Sequence, residues 1–250
     1  METKNPSLIN NAFYDTLNEK WHEGEDHPVA LLRAENRVRN PWILKTIEEK
    51  MGQGCSILDI GCGGGLLTNF LASHGHKVFG IDQSSKSLEV AKEKDLTKSV
   101  MYKTADAAAL PFEKESFDVV SAMDLLEHVQ DPSSVIKEAS RILRPGGIFF
   151  FHTFNRNFLS YLLAVKGIEW FVKNSPSNLH SYSLFIKPEE LKKMCAFNGL
   201  QVKYIKGLMP DIATFSFWKM LFTRTVAEDF RFVFTPSLKT GYVGYAIKIL

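Results

Sequence analysis

The stretch that decides the fold is CSILDIGCGGG, residues 55–65. Its first six residues form the short apolar run that is typical of a strand buried in a parallel sheet. The glycines that follow permit positive φ angles and leave no Cβ in the way of a ligand. Because such sheets bind nucleotides at the carboxyl ends of their strands, we predict a cofactor site at this turn.

Short β-rich segments alternate with helical ones on both sides of this turn. The predicted strands are 55–60, 77–82, 100–106, 117–123 and 147–153. Apolar residues with a helical period fall between them at 66–75, 87–94 and 133–143. Arg144 to Gly147 predict a turn before the fifth strand. The alternation indicates an α/β fold with helices on both faces of a mostly parallel sheet.

We divide the chain into an N-terminal helical cap, residues 1–52, and a cofactor-binding domain, residues 53–250. The cap is expected to lie over the ligand edge of the sheet. Within the domain, residues 156–235 are rich in aromatic side chains. They predict a lid insertion over an apolar substrate.

Composition narrows the class of protein. The chain has 250 residues, of which 45% are hydrophobic, and a net charge of +2, which suits a globular protein without a nucleic-acid partner. Its three cysteines, Cys55, Cys62 and Cys195, cannot all pair and lack the spacing of a zinc site, which favours a cytoplasmic protein. The polar N-terminal segment predicts no signal peptide, and no run reaches the roughly 20 apolar residues of a membrane span.

The spacing of the glycines bears on the identity of the cofactor. A dinucleotide fingerprint requires a third glycine where this chain has Leu66. Asp59 places a carboxylate beside the turn, which suits a cationic sulfonium better than a phosphate. An NAD-dependent dehydrogenase therefore stands as the weaker alternative.

Polar and apolar residues at successive strand ends complete the predicted cofactor site. Asp82 lies 21 residues after Gly61 and is expected to accept hydrogen bonds from the ribose hydroxyls. Asp106 would meet the adenine amino group, and Met123 would pack near the base. The full predicted set is Asp59, Gly61, Cys62, Gly63, Gly65, Asp82, Gln83, Asp106, Ala107 and Met123.

Four segments carry a family resemblance, in the order LDIGCGGGLL, GIDQS, ADAAALPFEKESFDVV and ILRPGG. Over roughly residues 55–153 the chain resembles the class I S-adenosylmethionine-dependent methyltransferases. The resemblance implies S-adenosylmethionine as the cofactor and a Rossmann-like, seven-stranded sheet whose last strand is antiparallel. The expected last strand is GYVGYAIKI, residues 241–249.

The later segments DLLEHV, residues 124–129, and 153–191 resemble the ubiquinone-biosynthesis O-methyltransferases. That family methylates a catechol-like hydroxyl on a polyprenylated ring, so the resemblance implies an aromatic or lipid-tailed substrate. A class I methyltransferase that acts on another small molecule or lipid is the alternative.

The chain departs from the family pattern at three places. Ile43 stands where the family has a cofactor-binding arginine, so Arg33, Arg37 or Arg39 would have to serve. Asp124 replaces the usual glutamate, and the aromatic block 215–234 has no counterpart.

A helix that began at residue 124 would place Asp124, Glu127 and His128 on one face. These residue types suit Mg²⁺, although a purely structural role is equally compatible with the pattern. His128 is also the candidate general base. We interpret His152 and His180 as structural histidines.

Residues 158–173, FLSYLLAVKGIEWFVK, carry an apolar face flanked by Lys166 and Lys173. This pattern is typical of a helix at a membrane surface, which would give peripheral membrane contact. A lid helix packed on its own domain is the alternative.

Overall fold

The computed structural model of this protein describes residues 10–249. The first nine residues of the predicted cap and of its polar N-terminal segment, together with residue 250, lie outside the described residues.

A single eight-stranded sheet forms the middle layer. Its strands are β1 (Ser56–Ile60), β2 (Lys77–Asp82), β3 (Met101–Thr104), β4 (Phe117–Met123), β5 (Leu143–Phe154), β6 (Leu200–Pro210), β7 (Phe232–Thr235) and β8 (Gly241–Lys248). Their order is β3-β2-β1-β4-β5-β8-β6-β7. The first five strands pair in parallel, whereas β8 is antiparallel to both β5 and β6. The α/β fold and the antiparallel last strand are therefore confirmed.

Helices cover both faces of the sheet. They are α1 (Val29–Met51), α2 (Thr68–Ser73), α3 (Ser85–Glu93), α4 (Pro132–Ile142), α5 (Phe158–Ser160), α6 (Ile168–Phe171), α7 (Pro188–Phe197) and α8 (Phe215–Thr223). A π-helical turn, Tyr161–Gly167, joins α5 to α6 and makes one helical segment of residues 158–171.

Alternate residues of each strand point to opposite faces, so the sheet separates two cores. Ile57 packs with Ile43 and Ile47 of α1 on one face. Leu58 packs with Val135 of α4 and Leu191 of α7 on the other. Both faces of the central strands are buried, which explains their nearly continuous apolar sequence.

Three predictions made from the sequence need correction. The third strand ends at Thr104, so Asp106 lies in the following loop. The fifth strand begins at Leu143, and the predicted turn at residues 144–147 is an irregularity inside it, where the register against β4 shifts. The seven-stranded sheet gains an eighth, edge strand, because part of the aromatic block forms β7 and pairs with β6.

Among residues 10–249, no helix is long and apolar enough to cross a membrane.

Candidate active site

The glycine-rich turn after β1 is tied to the neighbouring strand β2. The N–H groups of Gly61 and Cys62 both donate to the carbonyl of Ile81, at 2.8 and 3.0 Å. Gly61, Gly63 and Gly65 have φ angles of 71°, 51° and 82°. Such angles disfavour residues with a Cβ, so the turn depends on its glycines, as the sequence predicted.

Asp82 holds this turn from the end of β2. One carboxylate oxygen accepts from the N–H of Gly63 at 2.9 Å, and the other accepts from the N–H of Ser84 at 2.9 Å. Burial raises the pKa of Asp82, and the backbone N–H bonds oppose that rise. Each oxygen retains a further lone pair, so the carboxylate can also accept from a ligand.

Residues of the cap cover the turn from outside. Trp21 lies so close that a Cβ on Gly63 or Gly64 would overlap its indole ring. The indole N–H donates to Ser87 Oγ at 3.2 Å, and Tyr14 stacks on the indole with ring centroids 5.8 Å apart. The cap therefore packs the indole ring directly on a turn that has no side chains of its own at these positions.

A cavity of about 860 Å³, which we name the loop cavity, opens at this edge of the sheet. Its lining includes the predicted residues Asp59, Gly61, Cys62, Gly63, Asp82, Gln83, Asp106, Ala107 and Met123. Gly65 is the exception, because a Cβ there would meet Tyr102, Ala91 and Asn69 at 2.8 to 2.9 Å. Gly65 serves the packing of the turn rather than the cavity wall.

Asp59 is buried at the base of the loop cavity. It accepts a hydrogen bond from Ser121 Oγ at 2.6 Å. Burial raises the pKa of Asp59 to about 7, although Ser121 and Arg39 both lower it. A cation placed beside this carboxyl would favour its ionised form.

Asp124, at the end of β4, is the centre of a buried charge cluster. The guanidinium of Arg39 binds both of its carboxylate oxygens, with Nη1 at 2.9 Å from Oδ1. Nδ1 of His152 contacts Oδ1 as well, and Glu35 lies 3.5 Å from Arg39. Burial favours the neutral form of Asp124, but Arg39 and His152 outweigh it and hold the pKa of Asp124 well below its usual range. Burial alone would lower the pKa of His152, and Asp124 raises it instead.

Of the three arginines that the sequence proposed, Arg39 alone lines the loop cavity. Arg33 donates to the carbonyls of Lys20 and Gly24. Arg37 donates to the carbonyls of Glu228 and Phe230. Arg39 therefore stands at the site, but its hydrogen bonds go to Asp124.

Within residues 10–249, the donor atoms of the predicted trio Asp124, Glu127 and His128 are not grouped closely enough to hold one metal ion. Asp124 has a φ of 55°, and only Leu126–His128 is helical, as a short 3₁₀ turn, so the expected common helical face is wrong. Glu127 is completely buried, and neither of its carboxyl oxygens has a hydrogen-bond partner within residues 10–249. Burial raises its pKa to about 7.

The part of the chain that the structure describes contains one trio whose donor atoms lie within 4.8 Å of one another, and it is Glu35, Asp124 and His152. The guanidinium of Arg39 already supplies the positive charge there. These residues do not fit a divalent ion.

His128 lies against the cap. The amide nitrogen of Asn11 donates to the backbone carbonyl of His128 at 3.5 Å, so the amide oxygen is left to accept from His128 Nδ1 at 3.3 Å. Nε2 then carries a lone pair, which accepts from the Tyr14 hydroxyl at 3.4 Å. Burial and the neighbouring His180 lower the pKa of His128 to about 3, so the ring is an uncharged acceptor.

A second cavity of about 440 Å³, which we name the apolar cavity, lies between the cap, the helical segment 158–171 and α8. Side chains such as Leu163, Phe171, Phe217 and Met220 form its wall. The two cavities share Tyr14, Leu32, Asp124 and His128. A ligand in one would therefore meet a ligand in the other beside His128.

The sequence identified Arg39 only as one of three candidate cofactor-binding arginines, and it predicted a structural role for His152. It assigned no role to Glu35, Tyr14 or Trp21. Their roles depend on contacts between distant segments, and no local motif marks them.

Comparison with known proteins agrees with this arrangement. Residues 58–151 match a family model described as a methyltransferase domain. A ubiquinone biosynthesis O-methyltransferase of Leptothrix cholodnii is 37% identical over 224 residues, which cover 87% of this chain and 92% of that protein. One of Thiobacillus denitrificans is 44% identical over 176 residues, covering 68% and 75%.

Solved structures agree on the fold. The magnesium protoporphyrin IX methyltransferase of Synechocystis PCC 6803, solved with bound SAH, superposes with a TM-score of 0.65 at 17% identity and covers 96% of this chain and 95% of that one. A putative methyltransferase of Bacillus halodurans gives 0.60 at 20% identity, with 83% and 99% covered.

Proposed function

The chain belongs to the family of the ubiquinone biosynthesis O-methyltransferases, and we propose that it methylates a hydroxyl on an aromatic ring that carries an apolar tail. The observation that carries this proposal is the meeting of the loop cavity and the apolar cavity at His128. The loop cavity has the polar groups that a nucleoside site requires, whereas the apolar cavity has the hydrophobic lining that binds a hydrocarbon tail.

S-adenosylmethionine fits the loop cavity and supplies an activated methyl group on its sulfonium. Asp82 and Asp106 both line the loop cavity, where Asp82 would accept from the ribose hydroxyls and Asp106 from the adenine amino group. Asp59, whose ionised form a cation favours, is the counter-charge for the sulfonium end. Trp21 holds the glycine-rich turn against the cap.

The acceptor enters through the apolar cavity, with its ring at the junction and its tail along Leu163, Phe171 and Phe217. The acceptor hydroxyl would displace the Tyr14 hydroxyl from Nε2 of His128, and Nε2 would take the hydroxyl proton as the oxygen–methyl bond forms and the sulfur–methyl bond breaks. Holding the oxygen in line with the methyl group supplies most of the rate. Because the pKa of His128 is low, the ring holds the hydroxyl by a hydrogen bond and takes its proton only as the forming oxygen–methyl bond makes that proton acidic.

A labelled methyl donor tests the reaction. We expect transfer to a polyprenyl catechol, and a lower KM with a longer tail because each buried CH₂ contributes about 0.8 kcal/mol. Failure of every aromatic acceptor would favour a class I methyltransferase with another small acceptor. Calorimetry with S-adenosylhomocysteine and with NAD distinguishes both kinds of methyltransferase from a dehydrogenase.

We propose further that turnover needs no divalent ion. Arg39 neutralises Asp124, and Glu127 is enclosed in the core. Neither carboxylate of the Mg²⁺ site predicted from the sequence is therefore available to bind the ion. We expect full activity in excess chelator. Loss of activity that added Mg²⁺ restores would contradict this.

We also propose peripheral membrane contact beside the mouth of the apolar cavity. Exposed apolar side chains lie on segment 158–171 and on α8, and they include Phe158, Leu159, Leu163, Trp170, Phe215, Trp218 and Phe222. Lys173, two residues after segment 158–171, and Lys219 of α8 are exposed and suit an anionic lipid surface. A lid helix packed only on its own domain would not leave so many apolar side chains in solvent.

Liposome flotation tests this contact. Phe222 is 86% exposed on α8, and Phe197 is 88% exposed on α7, outside the patch. We expect Phe222→Glu to reduce flotation with anionic lipid and Phe197→Glu to leave it unchanged. Equal flotation of the two variants, or none by the unsubstituted protein, would contradict the proposal.

A further inference from the structure

His180 lies beside His128 and lines the apolar cavity. The two imidazole rings have centroids 5.3 Å apart. Phe154 packs edge-on against His180 with a centroid distance of 5.1 Å, which helps to fix the ring. His180 is thus close to the junction where the methyl acceptor is proposed to sit.

The hydrogen bond at Nδ1 determines what the other ring nitrogen can do. Nδ1 of His180 lies 3.1 Å from the carbonyl oxygen of Ala164, which only accepts, so Nδ1 carries the proton. Nε2 is therefore an acceptor, and it has no hydrogen-bond partner among residues 10–249. Burial lowers the pKa of His180 to about 4, which keeps the ring uncharged.

Ala164 belongs to the π-helical turn Tyr161–Gly167. Turns of this kind are rare and occur often at functional sites. Here the turn places the Ala164 carbonyl against Nδ1 of His180 and so keeps the proton on that nitrogen. The same turn forms part of the cavity wall.

His128 has the same tautomer, fixed from the other side by Asn11. The junction therefore presents two uncharged histidines whose Nε2 atoms are acceptors, and that of His128 becomes available when a substrate hydroxyl displaces the hydroxyl of Tyr14. An aromatic ring with one hydroxyl offers a single donor. A ring with two adjacent hydroxyls offers two.

We propose that His180 accepts a hydrogen bond from the hydroxyl next to the one that is methylated, and thereby selects acceptors with two adjacent hydroxyls. The proposal rests on the proposed function, and it assigns to His180 a specificity role at the same site. A ring without the second hydroxyl leaves Nε2 unpaired when it displaces water, and sites built to pair a substrate hydroxyl reject analogues that lack it.

Two substitutions separate this role from a structural one. In His180→Asn the amide N–H replaces Nδ1–H and keeps a donor for Ala164, but the acceptor at Nε2 is lost. In His180→Gln the longer amide carries its oxygen toward the position of Nε2. The assay measures kcat/KM with a labelled methyl donor for a catechol and for the matched monohydroxy ring with the same tail.

We expect the unsubstituted protein to prefer the catechol. His180→Asn should lower kcat/KM for the catechol on the order of 10-fold and change the monohydroxy ring by less than about threefold, because one hydrogen bond is lost only with the catechol. His180→Gln should recover part of the preference. Retention of the full preference in His180→Asn, or an equal loss with both rings, would overturn the role of His180.

The test also distinguishes failure of the underlying function. If the unsubstituted protein binds S-adenosylhomocysteine but methylates neither ring, the proposed acceptor class and the His180 role are both wrong. If it methylates both rings equally well, the acceptor class stands and selection by His180 is wrong.

Discussion

Replacement of Asp82 by alanine tests the assignment of the loop cavity as the cofactor site. The carboxylate accepts from the N–H of Gly63 and of Ser84, both at 2.9 Å, and it is expected to accept from the ribose hydroxyls as well. Hydrogen bonds to a charged group contribute roughly 1.5–3 kcal/mol each. Two lost ribose bonds would thus cost about 3 kcal/mol at the least, which corresponds to a Kd raised more than about 100-fold.

Asp95 supplies the matched control. Its carboxylate is buried and accepts from the N–H of Thr97 and of Val100, each at 3.0 Å, but it does not line the loop cavity. Asp95→Ala therefore removes two comparable bonds to the backbone, and one from the Thr97 hydroxyl at 2.6 Å, without touching the ligand site. We expect Asp95→Ala to lose at least as much free energy of unfolding as Asp82→Ala.

Calorimetry with S-adenosylhomocysteine gives the comparison, and thermal unfolding shows that both variants fold. We expect Asp82→Ala to weaken binding more than about 100-fold and Asp95→Ala to stay within about threefold of the unsubstituted protein. An affinity of Asp82→Ala within threefold, with the fold intact, would refute the reasoning. Equal weakening in both variants would mean that the loss comes from general destabilisation.

Three further outcomes are expected. Gly64→Ala should weaken S-adenosylhomocysteine binding because its methyl overlaps Trp21, and the loss should shrink in a Trp21→Ala background, as a double-mutant cycle by calorimetry would measure. Arg39→Met removes the guanidinium from Asp124 and leaves His152 as the remaining partner of the carboxylate, so it should cost about 3 kcal/mol of unfolding free energy in urea; a change below 1 kcal/mol would mean that the ion pair is not buried as described. Glu127 has a folded pKa of about 7, above its usual 4.5, so its contribution to stability is complete below pH 4.5 and is lost as the pH rises toward 7. The free energy of unfolding of Glu127→Gln, relative to that of the unsubstituted protein, should therefore rise by about 3 kcal/mol between pH 5 and 8. A difference in unfolding free energy that does not change with pH would contradict the buried carboxyl.

The cofactor edge was predictable because each of its features is local in sequence. A strand followed by Gly61, Gly63 and Gly65 specifies a turn with positive φ angles. Parallel strands then bring Asp59 and Asp82 to one edge, since their carboxyl ends meet there. No distant contact is needed to infer this part of the site.

The aromatic block, residues 215–234, was harder to interpret. Its aromatic content suggested a lid, and α8 does form part of the apolar cavity wall. However, Phe232–Thr235 is the edge strand β7 and pairs only with β6. A four-residue strand is too short for its alternation to stand out from a run of aromatic residues.

The charge cluster could not be predicted at all. Glu35 and Arg39 come from α1, Asp124 follows β4, and His152 lies on β5. Helical spacing suggested partners for Asp124 at residues 127 and 128, but the positive φ of Asp124 turns the chain away from a helix. Aspartate tolerates that conformation better than most residues, and nothing in the local sequence reveals it.

Contacts within the cap explain why a substitution in the glycine-rich turn should affect the site where the methyl acceptor binds. Trp21 lies on Gly63 and Gly64, Tyr14 stacks on Trp21, and the Tyr14 ring meets His128 edge-on with centroids 5.7 Å apart. The Tyr14 hydroxyl also donates to His128 Nε2, the atom proposed to take the substrate proton. Displacement of the indole by a methyl group on Gly64 must therefore shift Tyr14, and with it the hydrogen bond to His128. A variant at Gly64 should lower kcat at saturating cofactor as well as weaken cofactor binding, because two aromatic contacts join the two cavities.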